Sequence, residues 1–186
     1  MTRRSPYFRL DRGLTQSDPY RDDLSLPEPS LCERCQAVWR KGKWSLDPVV
    51  RKEALRFKKP HKVLCPACRR AEDGYPAGML YLKGTFLFSH KDEILNRIKN
   101  EEEAALLKNP LDRIIRLEDK GEEGILVETA SDRLATKLGK VVAKAFGGDL
   151  SIRFSEREKL VRVYWNRDER SLTGKKGTVR WSPNNC

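Results

Sequence analysis

Cys32-Glu33-Arg34-Cys35 and Cys65-Pro66-Ala67-Cys68 decide how this chain is read. In each pair one tight turn can aim two sulfurs at a common point. Two pairs supply the four soft thiolates that a tetrahedral metal ion takes at about 2.3 Å. The pattern reads as a structural zinc site. A closed shell of four cysteines leaves no open position for water or substrate, so such a site builds structure and does not catalyse. The intervening residues 36–64 number 29, more than the roughly 15–20 of an ordinary ribbon. Part of that length suits a hairpin, because Ala37-Val38-Trp39 and Lys43-Trp44-Ser45 flank a basic turn at Arg40-Lys41-Gly42. Residues 49–59 then read as a short helix or basic loop.

Two other uses of the cysteines stay open, as disulfides or as a thioredoxin-type redox pair. Residues 1–12 are basic with no apolar run, so no signal peptide is expected and the expected setting is cytoplasmic. A reducing compartment favours metal or redox chemistry over disulfides. Redox pairs follow a strand and open a helix in a βαβ unit, and neither pair shows that context in the sequence. His61, four residues before Cys65, could displace one cysteine as a ligand. Cys186 needs no role.

The formal net charge is +11 in 186 residues, which points to a polyanionic partner. Residues 1–71 carry 17 Lys/Arg against 8 Asp/Glu, whereas 72–110 carry 5 against 7. Residues 111–160 balance at 10 against 10, and 161–186 hold 6 against 2. The excess therefore sits in the cysteine module and the two ends. No apolar stretch reaches the 18 or so residues that span a membrane.

The expected class is α+β: a four-cysteine zinc ribbon, then a small ββαββ domain, with basic flexible tails. Residues 1–29, with Pro6, Pro19, Pro27, Pro29 and five arginines, read as an extended or disordered arm. The ribbon module is placed at 30–88. Within it, Met79-Leu80-Tyr81-Leu82 and Phe86-Leu87-Phe88 are expected to pair as a hairpin against the ribbon. A connecting helix occupies 89–110, with Ser89 as its cap, and Asn109-Pro110 ends it. In 111–167, strands at 113–118 and 125–129 flank a turn at 121–124. A helix follows with Leu134, Leu138, Val141, Val142 and Ala145 on one face, and Gly147-Gly148 stops it. Leu150, Ile152 and Phe154, then Val161, Val163 and Trp165, alternate as two further strands. Residues 168–186 form a basic tail.

Phosphate loops, serine elbows and His-Glu-x-x-His motifs are absent from the sequence, no carboxylate pair stands out, and an enzyme is not expected. Arg34, Arg40, Lys41 and Lys43 lie around the first knuckle, and Arg69 and Arg70 follow the second. Cations on a metal-stapled scaffold can contact phosphates, and Trp39 and Trp44 could stack on bases. The tryptophans are also what a small ribbon core would need, and that use is favoured.

Asp18-Pro19-Tyr20, Leu26-Pro27-Glu28-Pro29, Gly42-Lys43-Trp44, Cys65-Pro66-Ala67-Cys68-Arg69 and Tyr75-Pro76-Ala77-Gly78 together resemble a bacterial zinc-ribbon family of low-oxygen-activated gene clusters. The resemblance covers roughly residues 15 to 167 and implies a cytoplasmic stress protein without fixing an activity. The two knuckles and the helix at 129–148 also resemble the archaeal and eukaryotic export adaptor of the large ribosomal subunit, which carries more cysteine knuckles. The leading expectation is a zinc protein bound to the ribosome or ribosomal RNA, in hibernation, stress or subunit maturation, with no small-molecule substrate. Zinc would be held by Cys32, Cys35, Cys65 and Cys68. Arg34, Arg40, Lys41, Lys43, Arg69 and Arg70 would meet phosphates. A rubredoxin-like iron redox protein is the alternative, although Gln36 and Arg69 stand where rubredoxin knuckles carry glycine. A DNA-binding regulator is another, without a convincing recognition helix.

Overall fold

The computed structural model of the chain describes residues 7–9, 20, 26–56, 60–155 and 158–169. Most of the expected arm, the basic tail beyond 169 and Cys186 lie outside the described residues. The class is α+β, with two sheets. Of the arm, β1 (Tyr7–Arg9) is an edge strand. Tyr20 stacks on Tyr75 and bonds Asp73 through its hydroxyl at 2.6 Å.

The smaller sheet contains β2 (Ser30–Cys32), β3 (Val38–Arg40), β4 (Lys43–Ser45) and β5 (His61–Val63), in the order β4-β3-β2-β5. Lys41 and Gly42 both have positive φ, 51° and 71°, as a two-residue hairpin turn of the twist-compatible type requires. Helix α1 (Pro48–Ala54) opens on Asp47, whose carboxylate accepts from the Val49 amide at 2.8 Å, with Pro48 in the first turn. Its Val50 and Ala54 pack on Leu31 and Val38. Strand β5 pairs with β2 in parallel, and a parallel return needs a crossover of a dozen or more residues. That is why the two cysteine pairs stand further apart in sequence than in an ordinary ribbon.

Helix α2 (Pro66–Asp73) follows, stopped by Gly74 in the left-handed region. Strand β6 (Gly78–Lys83) leads into the short α3 (Thr85–Ser89) and then α4 (Lys91–Leu106). Strands β7 (Ile114–Asp119) and β8 (Ile125–Thr129), helix α5 (Asp132–Phe146), and strands β9 (Asp149–Ser155) and β10 (Leu160–Asn166) complete the described chain. The larger sheet has the order β1-β9-β10-β6-β8-β7. The four later strands therefore do not make a sheet by themselves. Strand β6 lies in the middle, parallel to β10 and antiparallel to β8.

This corrects the expected hairpin of 79–82 with 86–88. Gly78, Leu80 and Leu82 are buried while Met79 and Tyr81 are half-buried, so β6 has two faces and suits a central strand. After it Gly84 takes φ 104°, and a Cβ there would lie 2.1 Å from the Arg167 carbonyl oxygen. The chain turns away at that point, and residues 86–88 become helical. Ser89 correspondingly ends α3, and His90 stands at the start of α4.

One face of the large sheet is covered by α5 and α4. Ser131 caps α5 by accepting from the Leu134 amide at 3.1 Å. Leu134, Leu138 and Val142 meet Leu80, Val127, Ile152, Val163 and Trp165, while α4 adds Ile94, Ile98 and Ala105. The Trp165 indole donates to the Gly147 carbonyl at 2.7 Å, which ties the end of α5 to β10.

Helix α5 approaches the sheet most closely at Gly139. A Cβ there would fall 2.4 Å from Val163 Cγ1 and 3.1 Å from Leu150 Cδ1. Alanine gains about 1 kcal/mol of helix propensity over glycine, but overpacking a closed core costs about 1–3 kcal/mol. Val163 is fully buried and has little room to yield, so the clash wins. Gly139→Ala is expected to lower stability by on the order of 1 kcal/mol, read as a lower urea midpoint at unchanged slope.

Candidate functional site

The parallel pairing of β2 and β5 sets Cys32 opposite Val63. Both strands therefore end on the same side, and the chain reaches Cys65 two residues later. Cys65 caps α2 and Cys68 lies in that helix's first turn. The opposite pair is held by a tight turn in which the Gln36 amide donates to the Cys32 carbonyl at 3.0 Å. Gln36 has φ 62°, the left-handed conformation that glycine adopts without cost. Its side-chain amide donates to the Glu33 carbonyl at 3.0 Å, which helps hold it there.

The four sulfurs lie within 4.8 Å of one another, and those of Cys35 and Cys65 are 3.7 Å apart. A tetrahedral shell with bonds of 2.3 Å has sulfurs about 3.8 Å apart. All four cysteines are free, and 3.7 Å is far beyond the roughly 2.05 Å of a disulfide. The disulfide alternative is thereby set aside, and the four residues can hold one metal ion. The second pair follows a strand and opens a helix, a context not visible in the sequence. Since the first pair lies in contact with it, the four thiols form a single centre and not a separate redox pair. His61 is exposed and faces Ser30 Oγ at 3.2 Å, away from the cluster.

Packed this closely, the thiols shift one another. Burial and the charge of Cys35 push Cys68 up to about 12. Hydrogen bonds to Cys32 and Cys35 raise Cys65, whereas those from Cys35 and Cys65 hold Cys32 down. A metal ion must displace the remaining protons, so its affinity falls on acidification. The Cys65 amide donates to Cys32 Sγ at 3.3 Å. Arg113 reaches Cys68 Sγ at 3.8 Å, with its Nε fixed on the Pro110 carbonyl at 3.0 Å. The Arg113 carbonyl in turn accepts from Ala130 at 2.9 Å. Forty-five residues separate Arg113 from Cys68, and nothing local in the sequence marks it as a partner.

Cys32 and Cys65 have no exposed surface and Cys68 has 2%. Trp44 is buried against them, Trp39 packs alongside, and Leu111, Ile115 and Ala130 close the centre from the large-sheet side. The two indoles, 5.7 Å apart, thus serve as core.

Of the six expected phosphate contacts, Arg34, Lys41 and Lys43 are exposed. Arg40 is ion-paired with Glu53. Arg69 is half-buried near the Tyr20 ring. Arg70 is a correction: it is only 3% exposed, stacks over Tyr20 at 4.4 Å and donates to the Tyr75 carbonyl at 3.3 Å. It braces α2 and cannot also meet phosphate without leaving that position. Lys52, Arg56 and Lys62, which lie outside the motifs, are exposed on the same module. Among the described residues, Arg34, Lys41, Lys43, Lys52, Arg56 and Lys62 form no ion pair. In the large-sheet part, by contrast, Arg97, Arg116, Arg133, Lys137 and Arg162 are paired with carboxylates.

A separate open cleft of about 750 Å³ lies at the end of α5 between Phe86, Phe146 and Arg167. Asp149, Asp168 and Glu169 give it an acidic lining, and Arg167 lies over the Phe86 ring while donating to the Phe146 carbonyl. Among the described residues no helix is long and apolar enough to cross a membrane. No protein-family model, curated protein or solved structure matches the chain.

The protein is expected to carry one metal ion per chain by elemental analysis, and serine at any of the four cysteines should abolish stoichiometric binding. Arg113→Met should keep the stoichiometry but weaken binding about 10- to 100-fold in chelator competition, the usual cost of removing an outer-shell partner.

Proposed function

We propose that the chain is a zinc-stapled RNA-binding protein that associates with the ribosome, acting in stress-linked hibernation or in subunit maturation. The observation that carries the reading is the segregation of its charges. Residues 1–71 carry nine more cations than carboxylates while residues 72–160 carry two fewer, and on the metal module Arg34, Lys41, Lys43, Lys52, Arg56 and Lys62 form no ion pair among the described residues. Uncompensated cations on a rigid scaffold are what phosphate neutralisation requires. The motif resemblance to low-oxygen-activated zinc-ribbon proteins supports the stress-linked setting alone. Zinc is favoured over iron because Gln36 and Arg69 stand where rubredoxin-type knuckles carry glycine. The closed four-sulfur shell makes the metal a staple with no position for substrate.

In sucrose gradients of stationary or oxygen-starved cells, the protein should travel with ribosomal particles at low salt and leave them as salt rises. A protein found wholly in ribosome-free fractions at low salt would sink the idea. In binding titrations across a salt series, reversing Lys41 and Lys43 to Glu should flatten the logarithmic salt slope by about 0.7 for each single-strand phosphate that is no longer neutralised. RNA and DNA of one sequence, run side by side, separate this reading from a DNA regulator. The purified protein should be colourless with bound zinc, and a red iron-thiolate chromophore would overturn that assignment.

A further inference from the structure

Once a metal ion holds the four cysteines they are chemically alike, because each ligand is a thiolate. Their burial is not alike. Cys32 and Cys65 have no exposed surface and Cys68 has 2%, whereas Cys35 is half-buried and lies in the turn that closes the first pair. The susceptibility of a cysteine to oxidants follows its thiolate character and its exposure. With the first made equal by the metal, access singles out Cys35. Across from it, in the other pair, the Cys65 sulfur stands 3.7 Å away. The remaining two sulfurs each accept an N–H, Cys32 from the Cys65 amide at 3.3 Å and Cys68 from Arg113 at 3.8 Å. Such bonds stabilise a thiolate and lower its nucleophilicity. Cys65 heads α2, while Cys35 belongs to a surface turn. Closing the gap to the roughly 2.05 Å of a disulfide takes a movement of about 1.6 Å.

We infer that the centre is a peroxide-sensitive switch, in which oxidation joins Cys35 to Cys65 and releases the metal. The inference rests on the zinc assignment above and adds a mode of regulation to it. The oxidant is a hydroperoxide. The Cys35 thiolate attacks one peroxide oxygen, so that an S–O bond forms, the O–O bond breaks and hydroxide leaves. The Cys65 thiolate then attacks the Cys35 sulfur, forming the S–S bond and expelling a second hydroxide. Together the two thiolates have lost two electrons, and the peroxide has gained them. Only Cys32 and Cys68 remain as ligands, half of the tetrahedral set that zinc takes, and the ion departs as a dication. The new bond crosses the module, linking the turn after β2 to the start of α2. Leu111, Ile115 and Ala130 pack on this centre and Arg113 reaches Cys68, so loss of the ion is felt where the larger sheet joins it.

The test uses the full chain with zinc bound and with Cys186→Ala, which removes the fifth cysteine so that every thiol lost belongs to the centre. Hydrogen peroxide is added in graded amounts, and zinc release is followed with a chromogenic chelator. Peptides are then mapped by mass spectrometry after the remaining thiols are blocked. One zinc ion should leave for every two thiols lost, and the first linked peptides should join Cys35 to Cys65. A dithiol reductant added with zinc should restore the starting protein. Limiting iodoacetamide, without peroxide, should label Cys35 before the other three. A first disulfide within either pair, equal labelling of the four cysteines, zinc retained after the disulfide forms, or thiols untouched by excess peroxide would each overturn the switch and leave the zinc centre standing. A protein that purifies with iron, visible before any peroxide is added, would overturn the zinc assignment and the switch together.

Discussion

Four sulfurs within 4.8 Å of one another cannot all be charged unless a cation stands among them. Everything in the smaller unit follows from bringing them together. The parallel β2–β5 pair puts two strand ends side by side, the hairpin and α1 fill the crossover this demands, and α2 begins where the second pair must sit. The larger unit is joined to the same point, because Leu111, Ile115, Ala130 and Arg113 close the centre. Metal loading and the seating of the two units are therefore coupled through shared side chains.

What can be read in the sequence is local. The cysteine spacing, the hairpin around Lys41-Gly42, the capped helix from Ser131 and the alternation in β8, β9 and β10 each depend on residues within a few positions of one another, and the elements occur close to where their patterns place them. Strand β6 is harder, since an apolar run of four fits any sheet that will bury it. Its partners lie about 45 residues away in β8 and about 80 away in β10, and nothing within Met79–Leu82 names them. The parallel β2–β5 pairing is hidden for the same reason, although the unusual 29-residue spacing is its trace.

The candidate site divides along the same line. The four-cysteine cluster is legible because each of its pairs is set by a turn of four residues. Arg70 misleads because charge is visible in sequence and burial is not: beside Arg69 it looks like surface, yet Tyr20 and Tyr75 enclose it. Arg113 cannot be found at all, since its role comes only from the docking of β7 against α2.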